Sequence, residues 1–336
     1  MTGFALRSAL GRPLAPSARL ERGSAFDRRT RFRDVSRVRP TGALRGPAVL
    51  QFYSAVPNIG NFTAALGVQH LLGQTLEVWN AHQRPIDWEW IHRRYRAVIV
   101  GGAGLLHPAF EPFWQELDRA CRLPLILWGI GGCWPDAGAA SPRCPSAVSV
   151  GTRAALVHVR DERSAEFHAW CHAEIGDCPT VPFVQHSVQR APSDRTLLAV
   201  HPELLSADEQ HKLLRLVSRE QRPWSTDHTE TRWWGLRDLL GRRYARAGRV
   251  VTTRLHGAII AASLGIPWIA LARDEKLRAF AARSRTGVCV DDWDALGGAL
   301  DQAPVQARRI DAAPLVAFAE RARDALHHWG AWGEAS

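Results

Sequence analysis

Short runs of apolar residues alternate with helix-like stretches along most of this chain, and this alternation constrains the fold most strongly. The runs lie at residues 48–53, 97–100, 155–159, 195–201 and 249–253. Each has consecutive apolar residues within it, and most are followed by a glycine or polar turn and then by helical periodicity. Strands buried on both faces of a sheet have this pattern, whereas half-exposed antiparallel strands alternate apolar and polar residues. The sequence therefore predicts an α/β fold with parallel sheets.

The length and composition of the chain predict two domains. With 336 residues and 46% hydrophobic content, the chain can bury more than one core. We place an N-terminal α/β domain at 46–190 and a C-terminal one at 191–336. The Pro-rich segment 181–194 is interpreted as the linker between them.

Residues 1–45 form a basic extension. They hold 11 Arg against three acids, which accounts for +8 of the formal net charge of +10. The extension is rich in Pro, Ser and Gly and poor in periodic apolar positions, so we expect it to be flexible. Such a tail can contact anionic membrane lipid without specificity. Because the remainder is close to neutral, no specific nucleic-acid partner is expected.

The cysteines and short motifs exclude several classes of protein. Six cysteines occur without a CxxC pair or a disulfide framework, which favours a reducing, cytoplasmic location. HExxH, a GK[ST] phosphate loop and a GxSxG elbow are absent, and no four-ligand pattern is found. We predict no metal site and no organic cofactor.

Residues 255–272 contain no charged side chain over eighteen positions, which is the lower limit for a membrane span. Gly265, Ile266 and Pro267 would break a helix in the middle of this segment. We therefore predict a helix over 257–264, a turn and a strand over 267–271.

Three cationic or titratable residues follow two of these predicted strands. Arg254 and His256 come after strand 249–253, and Lys276 comes after strand 267–271. Ligands of parallel sheets collect at the carboxyl ends of strands, where helix N-termini also favour anions. The residues alone leave two interpretations open. They form an anion site, or Arg254 makes a structural salt bridge, His256 is a buried ring and Lys276 is a solvated loop charge.

The first half of the chain places polar and glycine residues at corresponding strand ends. These are Asn58, Gly60 and Asn61, then Gly102, Gly131, Arg160 and Asp161. Three glycine segments along one sheet edge indicate a cleft that needs close approach to a ligand, although any β–α turn can carry glycine. Asp161 is also expected to cap a helix.

Several ordered motifs resemble those of the polysaccharide pyruvyl transferase family. They are the N-x-G turn at 58–60, VIVGGAGLL, WGIGG, VRDERS, GDCP, TRLHGAIIAASLGIP and DEKLRAF. The resemblance covers residues 48 to 300. It implies two Rossmann-like domains that face each other across a cleft, similar to GT-B glycosyltransferases.

The resemblance also implies an activity. Family members transfer pyruvate from phosphoenolpyruvate, their donor substrate, to sugar hydroxyls of a polysaccharide or lipid-linked glycan precursor. Carried over, the roles fall on His256 as catalytic acid, on Arg160, Arg254 and Lys276 as donor-binding residues, and on Gly102 and Gly131 beside the donor. Residues 58–61 and Asp161 are assigned to the acceptor side or to structural turns. The family often has Asp where this chain has Asn61.

Two other hypotheses fit the same sequence. A GT-B-type glycosyltransferase that uses a nucleotide sugar would place an acid, such as Asp274 or Glu275, on the ribose. A diverged, non-catalytic scaffold that binds sugar or phosphate would need no such acid.

Overall fold

The computed structural model shows two α/β domains, each with its own parallel sheet. It describes residues 32–44, 46–132, 144–218, 223–229, 235–302 and 308–332. The N-terminal domain comprises residues 32–187 and 311–332, and the C-terminal domain comprises residues 188–302 and 308–310.

The N-terminal domain is built on seven parallel strands in the order β1-β3-β2-β4-β5-β6-β7. The strands are β1 (Arg33–Asp34), β2 (Val49–Tyr53), β3 (Glu77–Asn80), β4 (Ala97–Leu106), β5 (Leu125–Gly132), β6 (Leu156–Val159) and β7 (Glu174–Ile175). The helices are α1 (Ile59–Leu72), α2 (Trp88–Arg94), α3 (Glu111–Ala120), α4 (Pro145–Arg153), α5 (Glu162–Phe167) and α6 (Thr180–Ser187). The last helix of the chain, which also belongs to this domain, spans Ala313–His328.

Both faces of this sheet are covered, which explains the near-continuous apolar strands. Successive side chains of a strand point to opposite faces. Phe52 and Val100 lie in one buried cluster, whereas Ile99 and Trp128 lie in another together with Phe318. The predicted α/β class with parallel, doubly covered sheets is confirmed.

The C-terminal helix packs on the N-terminal domain. Phe318, Ala322 and Leu326 are fully buried in a cluster with Val68 and Trp128. This differs from the predicted C-terminal domain of residues 191–336. Apolar periodicity identifies the buried face of a helix, but not the sheet against which that face packs.

The end of the predicted N-terminal extension belongs to the sheet. Strand β1 pairs in parallel with β3, and Phe32 is fully buried with its ring centroid 4.7 Å from that of Tyr53. Residues 1–31, where most of the basic extension lies, are outside the described residues.

Half of the predicted linker 181–194 is helical. Residues 180–187 form α6, because Pro182 lies in the first helical turn, where a missing N–H is tolerated. Val181 and Val184 are fully buried. The connection between the domains therefore begins at Val188.

The glycine segments of β4 and β5 lie within the strands and not in the turns after them, which corrects the prediction. Gly102 and Gly129 have left-handed φ angles of 82° and 65°, and the pairing register shifts near each. A Cβ atom at Gly129 would lie 2.4 Å from Cδ of Pro179. These glycines therefore allow two bulged strands to pack closely on neighbouring backbone.

Replacing Gly102 with alanine should lower the free energy of unfolding by about 2–4 kcal/mol, since a strained φ and overpacking each cost about 1–3 kcal/mol. The new Cβ would lie 2.5 Å from the backbone nitrogen of Ala65. Urea unfolding measures the change. Gly298→Ala is the matched control, because a Cβ there meets nothing within 4 Å on helix 293–301. Equal stability of the two variants would contradict the packing role of Gly102.

The C-terminal domain has five parallel strands in the order β12-β11-β10-β8-β9. They are β8 (Thr196–Ala199), β9 (Trp224–Thr226), β10 (Arg249–Thr252), β11 (Trp268–Leu271) and β12 (Val288–Val290). The main helices are α7 (Ala207–Val217), α8 (Leu255–Leu264), α9 (Glu275–Ser284) and α10 (Trp293–Asp301), so the C-terminal helix 313–328 is α11. A short helix at Gly235–Asp238 continues as a π-helix at Leu239–Tyr244.

The uncharged segment 255–272 is a helix followed by a strand. Helix α8 ends at Gly265, which has a left-handed φ of 64°, and β11 begins at Trp268. Both elements are almost entirely buried in the domain. In the part of the chain that the structure describes, no helix is long and apolar enough to cross a membrane.

Candidate active site

Polar side chains follow four adjacent strands of the C-terminal sheet. In spatial order, β9 is followed by His228, β8 by His201, β10 by Arg254 and His256, and β11 by Lys276. Ala199, Thr252 and Ala270 lie in register at the ends of β8, β10 and β11. Carboxyl ends of neighbouring parallel strands meet at one edge, which is where such sheets bind ligands. We call these five residues the C-terminal site.

Hydrogen bonds to the backbone fix Arg254 at this edge. Its side chain is nearly buried, and Nε donates to the carbonyl oxygen of Val200 over 2.8 Å. Its backbone nitrogen donates to Oγ1 of Thr252 over 2.9 Å. The guanidinium is therefore held against the loop that follows β8.

Close packing of α8 on β10 positions His256. A Cβ atom at Gly257 would lie 2.1 Å from Oγ1 of Thr252, so only glycine lets the first helical turn approach the strand this closely. His256 is the second residue of α8, where the positive end of the helix dipole favours anions. Gly257 therefore allows α8 to pack closely against β10.

Lys276 lies in the first turn of α9, next to the buried Asp274. The Nζ of Lys276 is 3.1 Å from Oδ2 of Asp274, and Oδ1 of the same carboxylate accepts from the backbone nitrogen of Leu277. Because β11 is the neighbour of β10, Lys276 lies at the same sheet edge as Arg254 and His256, as the sequence predicted.

Two further histidines belong to this site, and both are uncharged near neutral pH. Burial, followed by the charges of Arg254 and Lys276, lowers the pKa of His201 to about 3. Burial, followed by Arg254, His256 and His201, holds the pKa of His228 well below its ordinary value. These mutual effects indicate that the five residues form one electrostatic cluster.

His228 is held rigidly. Its φ of 65° is left-handed, its backbone nitrogen donates to Oγ1 of Thr226, and its Nε2 is 2.6 Å from the hydroxyl oxygen of Tyr244. The ring and Tyr244 are fully buried. His228 and Tyr244 therefore form a buried polar pair, whereas the other members of the site are more exposed.

Stability of the C-terminal domain should fall as the pH drops below about 6.5. The unfolded state then binds protons that folded His201 and His228 do not, and each costs about 1.4 kcal/mol per pH unit. Asparagine tolerates the left-handed φ, so His228→Asn should reduce this slope by about half. Hydrogen exchange of peptides from 196–271 in urea, at pH 7.5, 6.0 and 5.0, measures the effect. His327→Asn, at an exposed helix end, is the control, and an unchanged slope in His228→Asn would refute the assignment.

In the N-terminal domain, Arg160 lies against Gly131. A Cβ atom at Gly131 would lie 2.9 Å from Nε of Arg160 and 3.1 Å from Oδ2 of Asp161. The backbone nitrogen of Arg160 donates to the carbonyl oxygen of Ile130. Gly131 therefore makes room for the buried guanidinium at the carboxyl ends of β5 and β6. The contact of Gly131 with the donor stays a prediction. The same holds for Gly102, whose observed contact is with α1.

Asp161 caps helix α5, as expected. Its Oδ1 accepts from the backbone nitrogen of Ser164 over 2.7 Å, and its Oδ2 accepts from the Ser164 hydroxyl over 2.9 Å. The same hydroxyl oxygen accepts from the backbone nitrogen of Gly132. The cap thus ties the end of β5 to the segment that carries Arg160.

Asn58 is the N-cap residue of α1, and residues 59–61 form the first turn of this helix. The side chain of Asn58 caps the helix by accepting from the backbone nitrogen of Gly60. Nδ2 of Asn61 donates to the carbonyl oxygen of Val56 over 2.9 Å. A carboxylate at 61 could not make this bond, so the amide here holds the loop after β2 in place.

The structure brings Arg254, His256 and Lys276 together in one domain and places Arg160, Gly131 and the 58–61 turn in the other. A shared pocket for Arg160 and the other three stays a prediction. Sequence reasoning missed His201 and His228. The apolar pattern places His201 at the end of a strand over 195–201, and it does not predict the three-residue strand before His228. A polar residue directly after an apolar run was the available signal for His201.

No group of three or more His, Cys, Asp or Glu side chains with metal-binding geometry occurs among the described residues. The cysteines at 121, 144, 171 and 289 are free thiols, Sγ of Cys178 donates to Oγ1 of Thr180 over 3.3 Å, and Cys133 lies outside the described residues.

The fold and the strand-end site place this chain among GT-B-like α/β proteins. It is similar to UDP-GlcNAc 2-epimerase from Methanocaldococcus jannaschii, with 10% identity over 83% of this chain and 99% of that chain and a TM-score of 0.51. It is also similar to a Listeria monocytogenes protein assigned as a UDP-N-acetylglucosamine 2-epimerase, with 11% identity over 86% and 98% of the two chains and a TM-score of 0.50. At these identities the likeness concerns the fold alone.

The family follows from the sequence itself. The family model for polysaccharide pyruvyl transferase matches residues 58–275, a span that includes both the 58–61 turn and the motif around His256. The chain therefore belongs to the polysaccharide pyruvyl transferase family. Comparison with curated proteins gives no significant match.

Proposed function

We propose that this protein transfers pyruvate from phosphoenolpyruvate to two hydroxyls of a sugar, forming a cyclic ketal on a polysaccharide or a glycan precursor. The observation that carries the proposal is the C-terminal site, where Arg254 and Lys276 flank His256 at adjacent strand ends. Phosphoenolpyruvate has a phosphate and a carboxylate, and fixed guanidinium and ammonium groups bind both. Family membership supports the same reaction class.

In the proposed reaction His256 is the general acid. It donates a proton to the methylene carbon of the donor, and positive charge develops on the adjacent carbon that bears the phosphate ester oxygen. A bound phosphate and carboxylate favour the protonated ring before this step. One sugar hydroxyl adds to the cationic carbon, phosphate leaves, and the second hydroxyl adds to close the ketal. The hydroxyl protons restore His256 and protonate the phosphate, so atoms and charges balance.

The proposed donor-binding residues have separate tasks. Arg254 is suited to paired hydrogen bonds with an oxyanion, because its Nε is already anchored to Val200 and the orientation of its fork is set. Lys276 provides a point charge whose position is set by Asp274. Arg160 is proposed as a third cation, contributed by the N-terminal domain.

The acids that a nucleotide-sugar enzyme would use on ribose are already engaged. Asp274 is buried, caps α9 and pairs with Lys276. Glu275 lies 3.6 Å from Nη1 of Arg278. Neither contact favours the glycosyltransferase hypothesis over pyruvyl transfer.

A thermal-shift screen followed by a turnover assay tests the proposal. Phosphoenolpyruvate, UDP-sugars and inorganic phosphate are offered separately. Phosphoenolpyruvate is then incubated with a panel of acceptor sugars, while phosphate release and product mass are followed. We expect stabilisation by phosphoenolpyruvate and acceptor-dependent phosphate release. Stabilisation by nucleotide sugars alone would favour glycosyl transfer, and no response to either class would favour a non-catalytic scaffold.

A further inference from the structure

His201 lies where the loops after β8 and β10 meet. Its backbone nitrogen donates to Oγ1 of Thr253 over 2.7 Å. The carbonyl oxygen of the preceding residue, Val200, accepts from Nε of Arg254 over 2.8 Å. Two hydrogen bonds therefore connect the backbone around His201 to the strand end that carries Arg254. The position of His201 relative to the guanidinium is fixed by the fold.

One ring nitrogen of His201 lacks a hydrogen-bond partner among the described residues. Its Nδ1 is buried and has no hydrogen-bond partner among the residues that the structure describes. Leaving a buried polar nitrogen unpaired costs free energy. The charges that act on the ring are the cations Arg254 and Lys276, Lys276 being paired with Asp274. The neighbouring titratable ring is His228.

We infer that His201 is a further ligand-contacting residue of the C-terminal site: it hydrogen-bonds an oxygen of the anion held by Arg254 and Lys276, and it takes up a proton when that anion binds. The inference rests on the proposed function only in naming phosphoenolpyruvate as the anion. The binding residue is assigned by its place beside Arg254 at the strand ends of β8 and β10.

The electrostatics of the empty site explain why the proton arrives with the ligand. Burial and the two cations keep His201 neutral in the free protein. A ligand with two or three negative charges reverses the sign of the dominant neighbouring charge, which favours the charged ring. The site then gains a third positive group only when it is occupied. An uncharged sugar would not cause protonation of His201, so this protonation favours the binding of anionic ligands.

Nitrogen-15 NMR of the histidine rings in the full-length protein tests the inference directly. The signal of His201 is assigned by its absence in His201→Gln. In the free protein we expect a neutral ring from pH 5 to pH 8. With saturating phosphoenolpyruvate we expect a ring protonated on both nitrogens at pH 6 to 7. Inorganic phosphate and UDP are the two further probes.

Affinity measurements give the second readout. Glutamine keeps a neutral hydrogen-bonding group but cannot gain charge, so His201→Gln should bind phosphoenolpyruvate about 10- to 100-fold more weakly at pH 6. The difference should shrink at pH 8. His211→Gln, on helix α7 of the same domain, is the matched control and should bind as the unmodified protein does.

Each outcome separates the inference from the proposed function. A ring that stays neutral with phosphoenolpyruvate bound, or unchanged affinity and pH dependence in His201→Gln, would overturn the role of His201 and leave pyruvyl transfer standing. Protonation by phosphate or UDP but not by phosphoenolpyruvate would support His201 and overturn the proposed donor. If none of the three anions binds, both fail.

Discussion

His256→Gln should lower the turnover of pyruvyl transfer by about 10²- to 10⁴-fold, the usual contribution of a positioned general acid. Glutamine has a similar reach and can still hydrogen-bond the donor, but it cannot deliver a proton to carbon. Donor binding should therefore persist while catalysis is lost. Such a split differs from the effect of a misfolded site, which would lose both.

The measurement pairs acceptor-dependent phosphate release with a thermal shift on adding phosphoenolpyruvate. His327→Gln is a suitable control, because this exposed residue lies in the last turn of helix α11 in the other domain. Turnover close to that of the unmodified enzyme in His256→Gln would refute His256 as the acid. In that case a different group would have to protonate the methylene carbon.

Arg254→Ala should weaken phosphoenolpyruvate binding by about 100- to 1000-fold, because removing one partner of a buried, hydrogen-bonded charge pair costs roughly 2–5 kcal/mol. Arg254 is 8% exposed, so water cannot replace it easily. Arg254→Lys should restore little, since lysine has no Nε to bond Val200 and no planar fork.

Arg249→Ala provides the matched control for Arg254→Ala. Arg249 begins the strand that ends just before Arg254, and its Nη1 donates to the carbonyl oxygen of Leu300 over 3.0 Å. The control removes an arginine at the amino end of β10, whereas Arg254 follows the carboxyl end of this strand. We expect its donor affinity to be unchanged. Isothermal titration that finds equal losses in both variants would mean that the effect is one of general stability or net charge.

The parts of the fold that the sequence predicted are those that depend on local patterns. Residues 255–272 show this most clearly, since Gly265 and Pro267 end the helix whatever lies around it. Ser206 and Glu209, three positions apart in the sequence, likewise form a capping box at the start of α7. The sequence placed Arg254 and Lys276 after the carboxyl ends of two predicted strands. They lie at the same edge because these strands, β10 and β11, are neighbours in the sheet.

The parts that the sequence did not predict depend on packing between distant segments. His201 becomes part of the site only because β8 lies beside β10, which no local pattern records. Gly102 reads as a turn residue but lies inside a strand, where the backbone of α1 leaves no room for a side chain. The interpretation of residues 181–187 as part of the linker was wrong for the same reason, because the buried contacts of α6 outweigh its proline; the connection begins at Val188, within the predicted segment.

The packing of α11 on the N-terminal sheet has a consequence for biosynthesis. Phe318 contacts Trp128 with ring centroids 4.9 Å apart, yet all residues of the C-terminal domain precede it in translation. The part of that sheet face which α11 covers, next to Val68 and Leu72 of α1, therefore stays exposed while the ribosome makes the whole second domain. The nascent chain is most in need of chaperone protection during that interval, and a premature stop codon near position 310 would leave the first domain, and not the second, without its closing helix.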